Sequence, residues 1–247
     1  MPEPSAGEAL VRVCAAALTR DELTWPDVTA RLPAIPSYEL SGVVAAVASD
    51  VGDVAVGDEV FALTPFNRDG VAAEYAVVPA ALLAARPTAL THVESAALPL
   101  AGLTAWQGLF DHGKLADGER VAVLGPRGGV GHLAVQLAGG RLAADGDAAD
   151  LVFDTVGGEG LARAVASGAR VVSVAEAASG ATFFIVETNR AQLTELAHRA
   201  DGGELRPAVD STFPLEDAEA AFTRLAQRGK RGKVVLRVDG DGPEEGR

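Results

Sequence analysis

The sequence predicts an α/β protein, with a β-rich first part followed by a shortened, doubly wound parallel sheet. Three observations carry this expectation. Short apolar strands separated by Gly and Pro crowd the chain before residue 92. Beyond residue 120 strands and helices alternate, the pattern of a parallel sheet covered by helices. Where that second pattern starts lies the turn Gly125-Pro-Arg-Gly-Gly-Val-Gly131, set between an apolar strand and an apolar helix.

Each element follows from its own spacing. Glu8–Ala16 alternates around Leu10, Val11 and Val13 and reads as a strand feeding a core. Ser41–Ala48 is a second strand, rich in Val and Ala; after the turn Asp50–Gly57 comes a third, Asp58–Leu63, and Ala72–Val78 adds another. Such close spacing suggests a small barrel or sandwich. Val93–Phe110 has apolar residues at helical intervals, in two pieces broken by Pro99 and Gly102. Arg120–Leu124 is a short strand of the kind buried in parallel sheets, and the helix Val130–Leu137 follows the glycines. Then come strand Leu151–Asp154, helix Gly160–Ala166, strands Arg170–Val174 and Thr182–Val186, and helix Arg190–Arg199. Leu215–Gln227 forms a helix with Asp217, Glu219 and Arg224 on its polar face, and Lys233–Val238 closes as a strand. The Gly- and Glu-rich tail 239–247 is expected to be disordered.

Composition narrows the function. The 247 residues are 48% hydrophobic and 22% charged, enough to bury one large or two modest cores. The net charge of −13 repels phosphate backbones and anionic lipids, which argues against nucleic acid and membrane as partners. A local basic pocket for a phosphate is compatible with that average field. Apolar runs such as Leu40–Ala48 are too short to cross a bilayer. The start Met-Pro-Glu-Pro-Ser does not resemble a signal peptide, so a cytoplasmic protein is expected. The single Cys14 cannot form an intrachain disulfide. His92, His112, His132 and His198 are scattered and read as helix-end or surface residues rather than metal ligands. The basic cluster Arg228–Lys233 reads as a solvated loop.

The glycine turn has chemistry of its own. Glycines let a backbone approach a pyrophosphate closely, and a helix N-terminus presents free N–H groups and a positive dipole end. A tight turn without a ligand has the same sequence. Arg127 either sets a cation beside a phosphate or fills the phosphate's place, and Pro126 removes one donor.

Read together and in order, six segments resemble the medium-chain dehydrogenase/reductase superfamily, in its quinone-oxidoreductase-like, NADP-dependent branch. They are Gly7-Glu-Ala-Leu-Val-Arg-Val13, Ile35-Pro-Ser-Tyr-Glu-Leu-Ser-Gly-Val-Val44, Val56-Gly-Asp-Glu-Val60, Asp69-Gly-Val-Ala-Ala-Glu-Tyr75, Ala97-Leu-Pro-Leu-Ala-Gly-Leu-Thr-Ala-Trp106 and Lys233-Val-Val-Leu-Arg-Val238. The resemblance implies a GroES-like domain over 1–92 and a Rossmann-type cofactor domain over 93–215. It further implies a helix and strand over 216–238 that return to the first domain. It implies NADPH as cofactor, a small-molecule substrate in the cleft, and hydride transfer to a quinone, enone or other conjugated carbonyl. On it, Gly125, Arg127, Gly128, Gly129, Val130, Gly131, Gly157 and Val174 would bind the cofactor. The family's zinc-His position reads Tyr38, the first ligand position falls near Thr19 and the third near Ala101, so no catalytic zinc is expected. Tyr38 is then the candidate donor that polarises the acceptor, or else a packed aromatic. Thr104 matches the family threonine near the nicotinamide, or is an ordinary helix residue.

Two departures stand out. The chain starts about 20 residues into the family's sequence, roughly a hairpin's length. More seriously, Gly139–Ala149 runs almost directly into Leu151–Asp154, the family's fourth strand. Strands two and three are thus expected to be missing, a loss of roughly 30–40 residues by the size of a βαβ unit. In a 3-2-1-4-5-6 sheet that leaves strand one as an open edge and removes the seat of the adenosine half. An open edge invites a second chain, so a homodimer is expected. Two functions stay open: a working NAD(P)H-dependent oxidoreductase, or a redox-neutral or catalytically silent descendant that has lost dinucleotide binding and binds or cyclises a small hydrophobic molecule.

Overall fold

The computed structural model describes residues 1–144 and 147–238; the expected disordered tail, 239–247, lies outside the described residues. The first sheet has seven strands. These are β1 (Glu8–Leu18), β2 (Glu39–Val47), β3 (Glu59–Leu63), β4 (Tyr75–Pro79), β5 (Ala84–Ala85) and, from the far end of the chain, a pair at Val209–Pro214 and Lys233–Arg237. The helices around it are a single turn α1 (Pro26–Thr29) and α2 (His92–Ala96), and α3 (Pro99–Trp106) leads to the second sheet. That sheet is built from β6 (Val121–Leu124), β7 (Leu151–Asp154), β8 (Arg170–Ser173) and β9 (Thr182–Phe183). Helices α4 (Gly131–Ala138), α5 (Gly158–Ala166) and α6 (Arg190–Asp201) accompany it, and β10 (Val209–Pro214), α7 (Ala218–Ala226) and β11 (Lys233–Arg237) return to the first sheet.

β1 organises the first sheet because nearly every residue from Ala9 to Leu18 is buried. Its first half pairs with β4 and its last four residues with β11, while β2 runs antiparallel along the whole length. Register shifts after Leu10 and Val13 bend the strand so that it can serve these neighbours. The second sheet is wholly parallel in the order β6-β7-β8-β9. Its main core lies against α3, α4 and α6, where Leu103, Leu109, Leu133, Phe153 and Leu196 are buried. A GroES-like part and a shortened Rossmann-type sheet are therefore both present. Among the described residues the outer edge of β6 is met at Val121, through an isolated bridge to Leu142 and a hydrogen bond from Ala143 N–H.

Several elements differ from their sequence reading. The helical break comes at Leu98, where Pro99 starts α3, and not at Gly102. Gly102 lies inside α3, where a Cβ would come within 2.9 Å of the Leu196 side chain. α2 starts at its capping box, with the Thr91 side chain accepting from Glu94 N–H and the Glu94 side chain answering the Thr91 N–H. Thr182–Val186 pairs over only two residues. β10 is a strand the apolar pattern misses: Pro207, Asp210 and Pro214 disguise it. Asp210 is satisfied by Arg224 of α7 at 2.7 and 2.8 Å, which lets a polar edge strand form. β10 belongs to the first sheet, so that sheet regains the chain at Val209, earlier than residue 216.

Candidate functional site

The glycine turn joins β6 to α4. Gly125 takes a left-handed φ of 81°, and a Cβ there would lie 2.6 Å from Thr155 Oγ1. Gly128 N–H donates to the Gly125 carbonyl at 3.0 Å. At Gly131 a Cβ would sit 2.1 Å from that same carbonyl oxygen, so the helix can start this close to the turn only with glycine. No side chain caps α4 at its N-cap Val130, and Pro126, Arg127 and Gly128 form the exposed lip of the turn. Among the described residues no carboxylate pairs with Arg127. The lip therefore carries a cation with no carboxylate partner among the described residues.

The segment before β11 roofs the turn. Gly128 bridges Gly232, and Gly232 N–H donates to Arg127 C=O at 3.2 Å. The Lys233 stem lies over Gly129, its Cδ 3.0 Å from where a Cβ would be. The solvated-loop reading holds for Arg228 and Arg231, which are exposed, and fails for Lys233, which is only 6% exposed. Its ammonium meets the buried Glu39 carboxylate and donates to Thr19 Oγ1 at 2.9 Å. Glu39 is fully buried and its other oxygen accepts from Leu100 N–H at 2.9 Å. Burial pushes the Glu39 carboxyl up, and Lys233 opposes that push. His132, at the start of α4, is fixed from both sides. Its Nε2 accepts from Ala208 N–H at 2.8 Å, so the proton must sit on Nδ1, which faces the Gly128 carbonyl at 2.8 Å. Burial holds its pKa below the usual value, consistent with this neutral tautomer.

On the other wall, Tyr38 is buried with its ring stacked on Trp25 at 5.9 Å and edge-on to Phe66 at 5.3 Å. Its hydroxyl oxygen accepts from Arg31 Nη2 at 3.2 Å, and the same guanidinium nitrogen donates to Phe66 C=O at 3.0 Å. Burial raises the phenol pKa despite Arg31, so the hydroxyl keeps its proton. Thr104 Oγ1 donates to Leu100 C=O at 2.6 Å, one turn back in α3. Its hydrogen is thus engaged, and its lone pairs are what it can offer. Beneath Tyr38 the carboxylate of Glu22 accepts from Thr19 N–H at 2.9 Å and Ser37 N–H at 2.8 Å.

Gly157 and Val174 lie at the C-terminal rim of the parallel sheet, where open α/β sheets bind ligands. The buried Asp154 at the end of β7 accepts from Val156 and Gly157 N–H at 3.0 Å and from Ser173 Oγ at 2.8 Å. Val174 N–H donates to Asp154 C=O at 3.1 Å. Since Thr155 and Val156 abut Gly125, the glycine turn, Gly157 and Val174 form one rim. Tyr38 is linked to that rim through its neighbour Glu39 and Lys233, and shares one apolar core with Phe153 and Leu133 beneath it. Glu39, Lys233 and His132 are candidate site residues that sequence reading did not single out, and the Asp154 side chain is a further one. A charged residue at a terminus of an apolar strand, the last of β7 at Asp154 and the first of β11 at Lys233, was the available signal.

At the positions that the resemblance assigns to a zinc, the donor chemistry does not suit the metal. Thr19 offers a hydroxyl already bonded to Lys233, Tyr38 a phenol, and Ala101 a methyl. Among the described residues no three His, Cys, Asp or Glu side chains gather into a metal-binding group. No helix among them is long and apolar enough to cross a membrane.

Comparison with known proteins agrees with this architecture. Residues 5–88 match the alcohol dehydrogenase GroES-like domain family, and residues 132–236 match the zinc-binding dehydrogenase family. The chain is similar to 2-methylene-furan-3-one reductase of Solanum lycopersicum, at 31% identity over 96% of this chain and 73% of the relative. The same identity and coverage relate it to the chloroplastic NADPH-dependent alkenal/one oxidoreductase of Arabidopsis thaliana. Among solved structures, the quinone oxidoreductase of Coxiella burnetii superposes with a TM-score of 0.86 at 25% identity, over 97% of this chain and 93% of that one. The tomato alignment runs over 284 positions, more than the 247 residues present here, so the relative has segments with no counterpart in this chain.

Proposed function

The chain belongs to the medium-chain dehydrogenase/reductase superfamily, in its quinone-oxidoreductase-like branch, and from this we propose that it is an NAD(P)H-dependent oxidoreductase that reduces a quinone, enone or other conjugated carbonyl without zinc. The observation that carries the reading is the glycine turn itself, packed too tightly for any side chain at Gly131 and opening at the C-terminal rim beneath Lys233. These residues suit the pyrophosphate and nicotinamide end of such a cofactor: a helix start with no side-chain cap, an Arg127 with no carboxylate partner among the described residues, and the Gly157–Val174 rim. When bound, a reduced nicotinamide supplies the hydride.

The rest of the chemistry falls to the chain's own side chains. As charge grows on the acceptor's carbonyl oxygen, Tyr38 O–H donates a hydrogen bond to it, and the Arg31 guanidinium behind the phenol stabilises the charge that builds on Tyr38. Thr104, its hydrogen already given to Leu100 C=O, would help hold the cofactor by accepting a hydrogen bond. Asp154 and Ser173 hold the rim in place by tying the ends of β7 and β8 together. The partner is a small molecule, and the open side of β6 supports association with a second copy.

The short Gly139–Asp150 connection favours a second reading, a redox-neutral descendant that binds a small hydrophobic molecule. Calorimetric titration with NADPH, followed by an absorbance assay of NADPH oxidation with a panel of enones and quinones, separates the two. Saturable binding and turnover are expected. For Tyr38→Phe, kcat should fall about 100-fold, the size of one lost oxyanion donor, with the melting temperature kept. No saturable binding at millimolar NADPH would end the reductase reading, and an unchanged kcat would reduce Tyr38 to packing.

A further inference from the structure

In a doubly wound dinucleotide fold the two halves of the cofactor lie on either side of the strand that enters the glycine turn. Here that strand, β6, has very different flanks. On one side β7, β8 and β9 continue the sheet and supply Gly157 and Val174. On the other, α4 ends at Ala138 and a single tight turn at Gly139–Arg141 leads to Leu142, which among the described residues bridges β6 at Val121; Ala143 N–H donates to Val121 C=O at 2.9 Å. About a dozen residues, Gly139–Asp150, then bring the chain to β7, against the roughly 30 that a βαβ unit takes. Twenty positions past the last glycine of the turn, where the ribose reader of such folds sits at the end of a second strand, the chain has reached Leu151, the first residue of β7. Arg141, beside the Leu142 bridge, does not replace it: its guanidinium lies over the Phe110 ring, 5.3 Å from the centroid, and its Nε donates to Ala138 C=O.

Resting on the reductase reading above, we propose that this site recognises only the nicotinamide mononucleotide half of its cofactor. It therefore binds reduced nicotinamide mononucleotide, NADH and NADPH with nearly equal affinity, the glycine turn and Arg127 meeting the first phosphate and the Gly157–Val174 rim meeting the nicotinamide side. A single charge-assisted hydrogen bond to the 2′-phosphate is worth about tenfold or more in affinity, so even one surviving contact on the adenosine side would be visible.

The test is equilibrium titration of the full chain with the three reduced nucleotides, by calorimetry or by nicotinamide fluorescence, with adenosine 2′,5′-bisphosphate as competitor. Dissociation constants within about fivefold of one another are expected, with no displacement by millimolar bisphosphate. An NADPH preference over NADH above tenfold, a dinucleotide preference over the mononucleotide above 100-fold, or competition by the bisphosphate would overturn this proposal while leaving the reductase reading intact. Failure of all three nucleotides to bind would end both.

Discussion

Glu22 is a carboxylate 1% exposed, with two backbone N–H donors, and burial still raises its pKa to about 7. The N–H groups of Thr19 and Ser37 and the charge of Lys233 oppose that rise, while Glu39 adds to it. A carboxyl whose folded pKa stands above its unfolded value stabilises the fold fully below about pH 4.5. That contribution is lost as the pH climbs through 7, because the buried form must then ionise. Several ion-paired carboxylates, Glu8, Glu59, Glu94 and Asp210 among them, are shifted down and act below that window. Glu22→Gln therefore isolates one group. Denaturation midpoints for parent and variant between pH 4.5 and 8 should diverge in the variant's favour as pH rises, by on the order of 3 kcal/mol in total. A difference that stays constant across that range would show that Glu22 does not titrate there.

At the level of elements, the open edge of β6 makes a sharper prediction than composition could. Leu151 N–H and Thr155 N–H donate to the carbonyls of Arg120 and Leu124, so even-numbered residues of this strand face β7. Val121 C=O faces the other way, toward Ala143, and Val123 shares its orientation. Proline at 123 thus removes no bond to β7 but blocks pairing along the outer edge. If two copies associate through β6, sedimentation will find the parent dimeric and Val123→Pro monomeric, with an unchanged circular dichroism spectrum. A dimer that survives the substitution places any interface elsewhere. This edge was legible in the sequence, because a strand-four segment followed the glycine helix with no room for strands two and three. The strand β10 was not legible: its Pro and Asp residues break the apolar pattern, and it exists because Arg224 and β11 satisfy it from distant positions. Lys233 was misread for the same reason. A basic run at a strand start is normally solvated, and its burial depends on Glu39, almost two hundred positions earlier. The glycine turn and Tyr38 could be placed by local motif; their connection through Glu39 and Lys233 is tertiary.

That connection reaches across the whole molecule. Lys233 opens β11 of the first sheet, its stem covers Gly129 of the second sheet's glycine turn, and its ammonium meets Glu39 of β2, which in turn holds Leu100 at the start of α3. A buried pair of this kind adds little net stability over an apolar pair, yet losing one partner strands the other charge. Lys233→Met should therefore cost about 3–5 kcal/mol, because Glu39 keeps no counter-charge. In Glu39→Gln/Lys233→Met the amide oxygen can still accept from Leu100 N–H while no charge is left buried, and most of that loss should return. Urea denaturation of the parent, both single variants and the double variant closes the cycle, and strong coupling between the two sites is expected. Tryptophan fluorescence adds a second readout, since Trp25 stacks on Tyr38 near the first sheet and Trp106 lies at the end of α3. If the pair holds the two sheets to one another, Lys233→Met will separate the fluorescence transition from that of circular dichroism, and the double variant will bring them back together. Additive losses with coincident transitions throughout would mean that the sheets are held by the apolar contacts of α2 and α3, and that the buried charges serve the glycine turn alone.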